Sequence, residues 1–305
     1  LIATPQKIMV VIDPTTHAQP ALVKATQLAV RSGASLELYV CDIEQDIPES
    51  WAGGASAAEY RELSRLRRLD ELFALAEPLR GRGLKVTTVC EWHAPLEQGI
   101  GHHVIRTAPD LVVKDTHRYP PMPRAMLTRT DWNLIRQVPA PLLLVRARPW
   151  PVPPRIGAAV DPCHPADRPV ALDEAITRAG RALADTLDGV LDVYHVLQTP
   201  PHLPGEAVPD EERVRAHGEA CAAVERLAAR VAATARFDAG PVVEGLTRAA
   251  QTYVPDVLVV GAVARSRSGH SAASGTAVRL LERTDCDLMV VKPPGFVSPL
   301  LVTDE

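Results

Sequence analysis

The chain is written twice. "KIMVVIDP" at residues 7–14 returns as "RIGAAVDP" at 155–162, an offset of 148 residues. "PDLVVKDTH" at 109–117 is answered by "PDVLVVGAV" at 255–263, an offset of 146. "TDWNLIRQVPAPLLLVRARP" at 130–149 is answered by "TAVRLLERTDCDLMVVKPPG" at 276–295, again at 146. Three matched blocks in one order point to duplication of a whole domain, since two copies of this length are too few and too long for a solenoid. Whatever fold serves the first copy must therefore serve the second. The 305 residues divide into 1–148 and 154–305, joined by the proline-rich "RARPWPVPPR" at 146–155, a composition suited to a stiff extended connector.

Within each copy apolar runs alternate with helical patterns. The first copy offers strands at 7–12, 35–41, 84–90, 110–114 and 141–146, with helices at 18–32, 56–80, 95–107 and 130–138 between them. The second offers strands near 155–160, 190–197, 240–244, 256–261 and 287–292, with helices near 168–187, 209–234, 246–253 and 275–284. Near-continuous apolar strands joined by helices imply a parallel sheet covered on both faces. The expected fold class is α/β: two tandem doubly wound five-stranded parallel-sheet domains, each with its ligand crevice at the carboxyl ends of the strands. In the second copy "GLTRAAQTYVPD" stands for the longer "HAPLEQGIGHHVIRTAPD", so its third helix is expected to be short and that flank thin.

Composition removes several classes of function. Formal net charge is −4 with no basic face or lysine-rich run, which argues against nucleic acid and membrane surfaces as partners. Of the 33 basic residues only 5 are lysine; with abundant alanine this reads as the imprint of a G+C-rich bacterial genome. The 5 cysteines are scattered and never in CxxC spacing, which points to a reducing compartment. "LIATPQKIMVVIDP" has neither a charged leader nor an apolar run long enough to span a bilayer, so the expected location is the cytoplasm.

The stretch "DVLVVGAVARSRSGHSAASGTAVRLL" at 256–281 carries the chemistry. Strand, glycine, hydroxyl-rich loop and helix start are a common way to hold a phosphate on backbone N–H groups. A strand ending in Asp, the β-α-β-α layout, this loop and the "CDLMVVKPP" that follows together resemble the universal stress protein family. The duplication, with "TDWNLIRQVPAPLLLVRARPWP" in the middle and "LLERTDCDLMVVKPPGF" near the end, is similar to its tandem, E-type branch. The resemblance implies an adenine nucleotide alpha hydrolase-like fold and two halves pairing as an intramolecular pseudo-dimer through their last strands, with a further homodimer left open. Its nucleotide-binding members carry G-x2-G-x9-G-(S/T) after the fourth strand, an Asp at the end of the first and backbone contacts at the end of the second. Carried over position by position, that gives Asp161, Val196, Gly261, Ala264 at the second glycine, Ser274 at the third, then Gly275 and Thr276. Arg265, Arg267 and His270 supply charge that offsets the missing glycine. The ligand so implied is ATP or AMP, with Mg²⁺ accompanying it.

The first copy has "KDTHRYPPMPRAMLTRT" at the same place, with Lys114, His117 and Thr128 expected at the three glycine positions. Pro120, Pro121 and Pro123 remove donors that a backbone cradle needs. Nucleotide binding is therefore expected only in the second copy, and Asp13 is expected to serve a turn. The histidines at 17, 102, 103, 117, 164 and 270, with Cys163, do not have the spacing of a metal site, and none is expected. "EYRELSRLRRLDELFALAEPLRGRG" reads as a solvated amphipathic helix, and Trp132 and Trp150 as packing residues between the halves. The function expected is a stress-response ligand-binding protein with an unidentified protein partner and at most slow ATP hydrolysis, no residue being placed as a base. The alternatives are an interaction scaffold with both sites dead, or a binder of a different small molecule.

Overall fold

The computed structural model describes residues 4–42, 55–116, 129–163, 170–198, 210–262 and 272–301. Among these, residues 5 to 149 and those from 297 on form one compact unit, and residues 150 to 296 form another.

The first unit contains β1 (Lys7–Val11), α1 (Pro20–Ser32), β2 (Ser35–Asp42), α2 (Ala55–Arg80), β3 (Val86–Trp92), α3 (Leu96–Thr107), β4 (Leu111–Asp115), α4 (Arg129–Gln137) and β5 (Leu142–Val145). Its strands are parallel and lie in the order β3-β2-β1-β4-β5. The second unit contains β6 (Arg155–Ala159), α5 (Val170–Leu187), β7 (Val190–Leu197), α6 (Asp210–Arg230), β8 (Thr234–Ala239), α7 (Val242–Tyr253), β9 (Val257–Gly261), α8 (Ala272–Arg283) and β10 (Asp287–Val291). Its parallel order is β8-β7-β6-β9-β10, the same topology. The chain steps one way from β1 to β3 and then crosses to β4 on the other side of β1, so each doubly wound sheet has its topological switch point between its first and fourth strands. The central strands are buried on both faces: Ile8, Met9, Val112 and Val113 in one unit, Leu258, Val259, Leu288 and Val290 in the other, all with no exposed surface.

Sequence dictates the ends of these elements in matching ways. Helix α1 starts with Pro20 in its first turn and stops at Gly33, whose φ of 73° closes the helix in the left-handed conformation. Pro95 and Pro241 stand at the caps of α3 and α7, and both helices close on a left-handed residue, Ala108 and Val254. A Pro-Asp pair follows each. The Asp110 carboxylate accepts the amides of Gln6 and Lys7 at 2.9 Å, and the Asp256 carboxylate accepts the amide of Arg155 at 2.8 Å. The repeated "PD" thus ties the start of the first strand to that of the fourth in each half.

The expectation of a thin flank is overturned. Helix α7 has 12 residues, the same as α3. "GPVVEG" is not a strand: Pro241 starts a helix whose first residues are Val242 and Val243, and the edge strand lies earlier, over "TARFDA". Helix α2 carries the expected ladder of ion pairs, Arg65–Glu62, Arg67–Glu71, Arg68–Glu71 and Arg80–Glu77, three or four residues apart.

The residues after Phe296 belong to the first unit. The Ser298 hydroxyl donates to the carbonyl of Gln137 at 2.7 Å, and the buried Leu300 lies against Gly101, where a side chain would displace it. Trp150 belongs to the second unit, with its indole N–H donating to Asp287 Oδ2 at 2.7 Å. Trp132 is exposed beneath the guanidinium of Arg136, 4.4 Å from its ring centre.

Candidate functional site

Three adjacent parallel strands, β9-β6-β7, bring Gly261, Asp161 and Val196 to one edge of the second sheet, the carboxyl edge at the switch point. The Val160 amide donates to the Tyr194 carbonyl at 2.9 Å, carrying the pairing of β6 and β7 one residue past the strand. The next amide, that of Asp161, donates to the carboxylate of Asp173 at 3.0 Å, in the first turn of α5. Asp173 is 2 % exposed and is a site residue that the sequence gave no signal for. The Val196 side chain is buried against Gly245 of α7, so only its backbone is left to face a ligand.

Gly261 is required by packing. A Cβ there would lie 2.7 Å from Leu172 Cδ2 and 3.0 Å from Ile176 Cδ1, both on α5. Gly275 differs, because among the described residues a Cβ placed on it meets nothing within 4 Å. Helix α8 begins at Ala272, three residues before Gly275. Gly275 and Thr276 therefore stand one turn inside the helix instead of opening it, and the backbone donors without helical partners belong to the residues before them. Ala264, Arg265, Arg267 and His270 lie outside the described residues, as do His117, Thr128, His164 and the three prolines of the first copy; the side chain of Ser274 is likewise outside the description.

The field at the end of β6 is negative. Cys163 is exposed, yet its thiol is held above the ordinary range, first by partial burial and then by the carboxylates of Asp161 and Asp173. Among the described residues no group of three or more His, Cys, Asp or Glu side chains is placed to hold a metal ion.

The first half departs from this pattern at the same register. Ile8 pairs with Leu111 as Ile156 pairs with Val257, so Asp115, not Lys114, stands where the second half has Gly261. The strand expected over 110–114 put Lys114 at its end; the ladder shows that β4 continues one residue further, to Asp115. Asp115 Oδ1 accepts the Ala21 amide at 2.5 Å. Lys114 Nζ donates to Asp131 Oδ1 and to the Asp115 carbonyl, each at 2.8 Å. Asp13 forms a turn, its Oδ1 accepting the Thr15 amide at 2.8 Å and the Thr15 hydroxyl at 2.6 Å.

The sequence pattern of the universal stress protein family matches residues 5–146 and 154–292, one match on each half. The chain belongs to the universal stress protein family. It is a tandem member: universal stress protein E of Escherichia coli K12 is 24% identical over 312 residues, covering 98% of each chain. A solved protein of unknown function from Pseudomonas aeruginosa PAO1 is 26% identical with a TM-score of 0.73, over 96% of this chain and 94% of the other. A universal stress protein from Archaeoglobus fulgidus DSM 4304 has a TM-score of 0.72 at 10% identity, over 94% of this chain and 98% of that one, a likeness of fold. Among the described residues no helix is long and apolar enough to cross a membrane.

Within this universal stress protein the structure also shows a buried polar cluster that sequence reading missed. His103 Nε2 lies 2.8 Å from Glu37 Oε1, and Nδ1 lies 3.1 Å from Glu91 Oε1. Arg106 bonds Glu91, Lys7 pairs with Glu37 at 3.2 Å, and the Tyr39 hydroxyl donates to Glu91 Oε2 at 3.1 Å. Burial pushes the Glu37 carboxyl up, but the bonds from His103 and Lys7 outweigh it and hold it below its ordinary value. The available signal was a Glu inside an apolar strand, "SLELYV", whose only remedy in a covered sheet is a buried partner.

Proposed function

We propose that this chain is a cytoplasmic stress-response protein that binds one ATP or related adenine nucleotide, with Mg²⁺, in its second half and performs no robust catalysis on it. The carrying observation is Gly275. It sits one turn inside the helix that follows β9, and among the described residues a Cβ on it would meet nothing within 4 Å, leaving room for a ligand that a side chain would take. The amino end of α8 would face the phosphates with its dipole and free amides. Asp161 and the backbone at Val196 would line the nucleoside side. When bound, Mg²⁺ would neutralise phosphate charge and draw on the negative field of Asp161 and Asp173. Covalent tandem halves would act as a pseudo-dimer, with ligand binding shifting a surface that a protein partner senses.

Calorimetric titration with ATP and Mg²⁺ tests this. Saturable binding, lost in Gly275→Val, is the expected result. No heat at millimolar ATP overturns it. Two observations favour a different small molecule in the same crevice: two carboxylates stand at the end of β6, and Ala264 replaces a glycine of the family's loop. Native mass spectrometry of the protein as purified would reveal such a ligand. If neither ligand is found, the fold serves as an interaction scaffold.

A further inference from the structure

Two consecutive residues of β4, Lys114 and Asp115, share the register of Val260 and Gly261 in β9. In the second half that pair is apolar and small: Val260 is buried, and Gly261 yields its space to Leu172 and Ile176. In the first half the two positions carry opposite charges, and they face opposite sides of the sheet because successive strand side chains alternate. Asp115, 2 % exposed, sets Oδ1 2.5 Å from the amide of Ala21, just after the proline that starts α1. Lys114 points to the other side and sets Nζ 2.8 Å from Asp131 Oδ1. Asp131 is 1 % exposed, sits in the first turn of α4, and shares the sequence offset of the buried Ala277 in α8.

Helices α1 and α4 follow the two strands that flank the switch point. Their amino ends carry unsatisfied amides and the positive end of the helix dipole, the features that let such a crevice hold an anion. In the first half the Asp115 carboxylate accepts an amide at the amino end of α1, and Asp131, held by Lys114, stands in the first turn of α4. A carboxylate buried beside such amides repels a like charge strongly where water is excluded. The fold alone does not require this, since an apolar pair of similar volume is often as stable as a buried ion pair. Val260 and Ala277 show such a solution at the same place in the second half.

We propose that the first half is a self-liganded domain. Asp115 and Asp131 act as built-in anions on the amino ends of α1 and α4, and Lys114, by holding Asp131 in place, keeps phosphate-bearing ligands out. This does not depend on a nucleotide being held in the second half.

The test titrates the isotope-labelled full chain with inorganic phosphate at constant ionic strength, following the amide resonances of Ala21, Thr130 and Asn133. In the wild type these do not move. Asp131→Ala and the isosteric Asp131→Asn both leave Lys114 in want of an anion. Either is expected to bring saturable shifts, with phosphate affinity at least about tenfold above the wild type. Lys114→Val/Asp131→Ala copies the second half's apolar pair and frees the same amino end without an ammonium beside it, so it is expected to respond more weakly than the single variants but above the wild type. If Asp131→Ala loses its native spectrum, Asp131→Asn decides. The proposal is overturned if the folded single variants respond no more than the wild type, or if the wild type itself saturates at these amides. Gly275 and Thr276 report on the second half in the same spectra, so the nucleotide reading stands or falls separately.

Discussion

Tyr39 and Tyr194 occupy the same register on the second strand of their halves, and both are among the most buried side chains of the protein. Each has a buried, ion-paired carboxylate two residues earlier, Glu37 and Asp192, and beyond that their surroundings differ. Tyr39 packs its ring at a tilt against His103, 4.4 Å between ring centres, and donates to Glu91, inside the charged cluster pinned by Glu37, Lys7 and Arg106. Tyr194 stacks on Tyr253 at 5.7 Å, with the Arg236 guanidinium 4.9 Å from the Tyr253 ring and paired to Asp192. One half secures its third helix by polar bonds among buried groups, the other by aromatic packing. Duplication preserved the backbone register and its caps while the chemistry held against that register diverged. The difference between Lys114-Asp115 and Val260-Gly261 is the same divergence at the crevice.

Exchanging residues across the two halves breaks this pattern most sharply at the glycine. Gly261→Asp imports the first half's residue into a space already filled by Leu172 and Ile176. The result combines overpacking with an unpaired buried carboxylate, and the expected loss is about 3–5 kcal/mol of stability by chemical denaturation.

His103→Ala should be next in size. It leaves Glu37 buried with one partner fewer, and a loss of about 2–3 kcal/mol is expected. The cluster also sets a pH dependence. Glu37 is held below its ordinary value of 4.5, so its contribution is fully present above that pH and is lost as pH falls through the lowered folded value. Acid titration below about pH 4.5 should therefore weaken the wild type more steeply than Glu37→Gln, followed by fluorescence or circular dichroism. Equal slopes would show that the cluster carries no such linkage.

The smallest effect is expected at Gly275. Its open surroundings and helical position make Gly275→Val neutral or slightly stabilising, within about 0.5 kcal/mol. A thermal midpoint that falls clearly would mean that this glycine serves the fold, as Gly261 does, and not a ligand.

The doubly wound topology was legible because apolar strands and the repeated "PD" and "DP" pairs appear twice in the same order. Where glycine marks a stop, the boundary was legible as well. Helix α2 ends before "GRG", with Gly83 at a φ of 84°. Its counterpart α6 ends inside "ARVAATA", where Ala232 takes the left-handed turn that a glycine would have announced. That silence let the helix run on to residue 234 in the sequence reading and pushed the edge strand into "GPVVEG". At the candidate site, Asp161, Val196 and Gly261 were carried over from the family's pattern, and they lie at or near the carboxyl ends of β6, β7 and β9. Asp173, Asp131 and His103 were not, because each acts through a partner distant in sequence. A carboxylate that caps a neighbouring strand or helix has no local pattern to betray it.

The central claim is that one half accepts a ligand and the other supplies its own. Equilibrium dialysis of the full chain against labelled ATP with Mg²⁺ measures it directly as a stoichiometry. The account predicts saturation at one nucleotide per chain in the wild type and loss of binding in Gly275→Val. Two nucleotides per wild-type chain, or one that survives Gly275→Val, would contradict it.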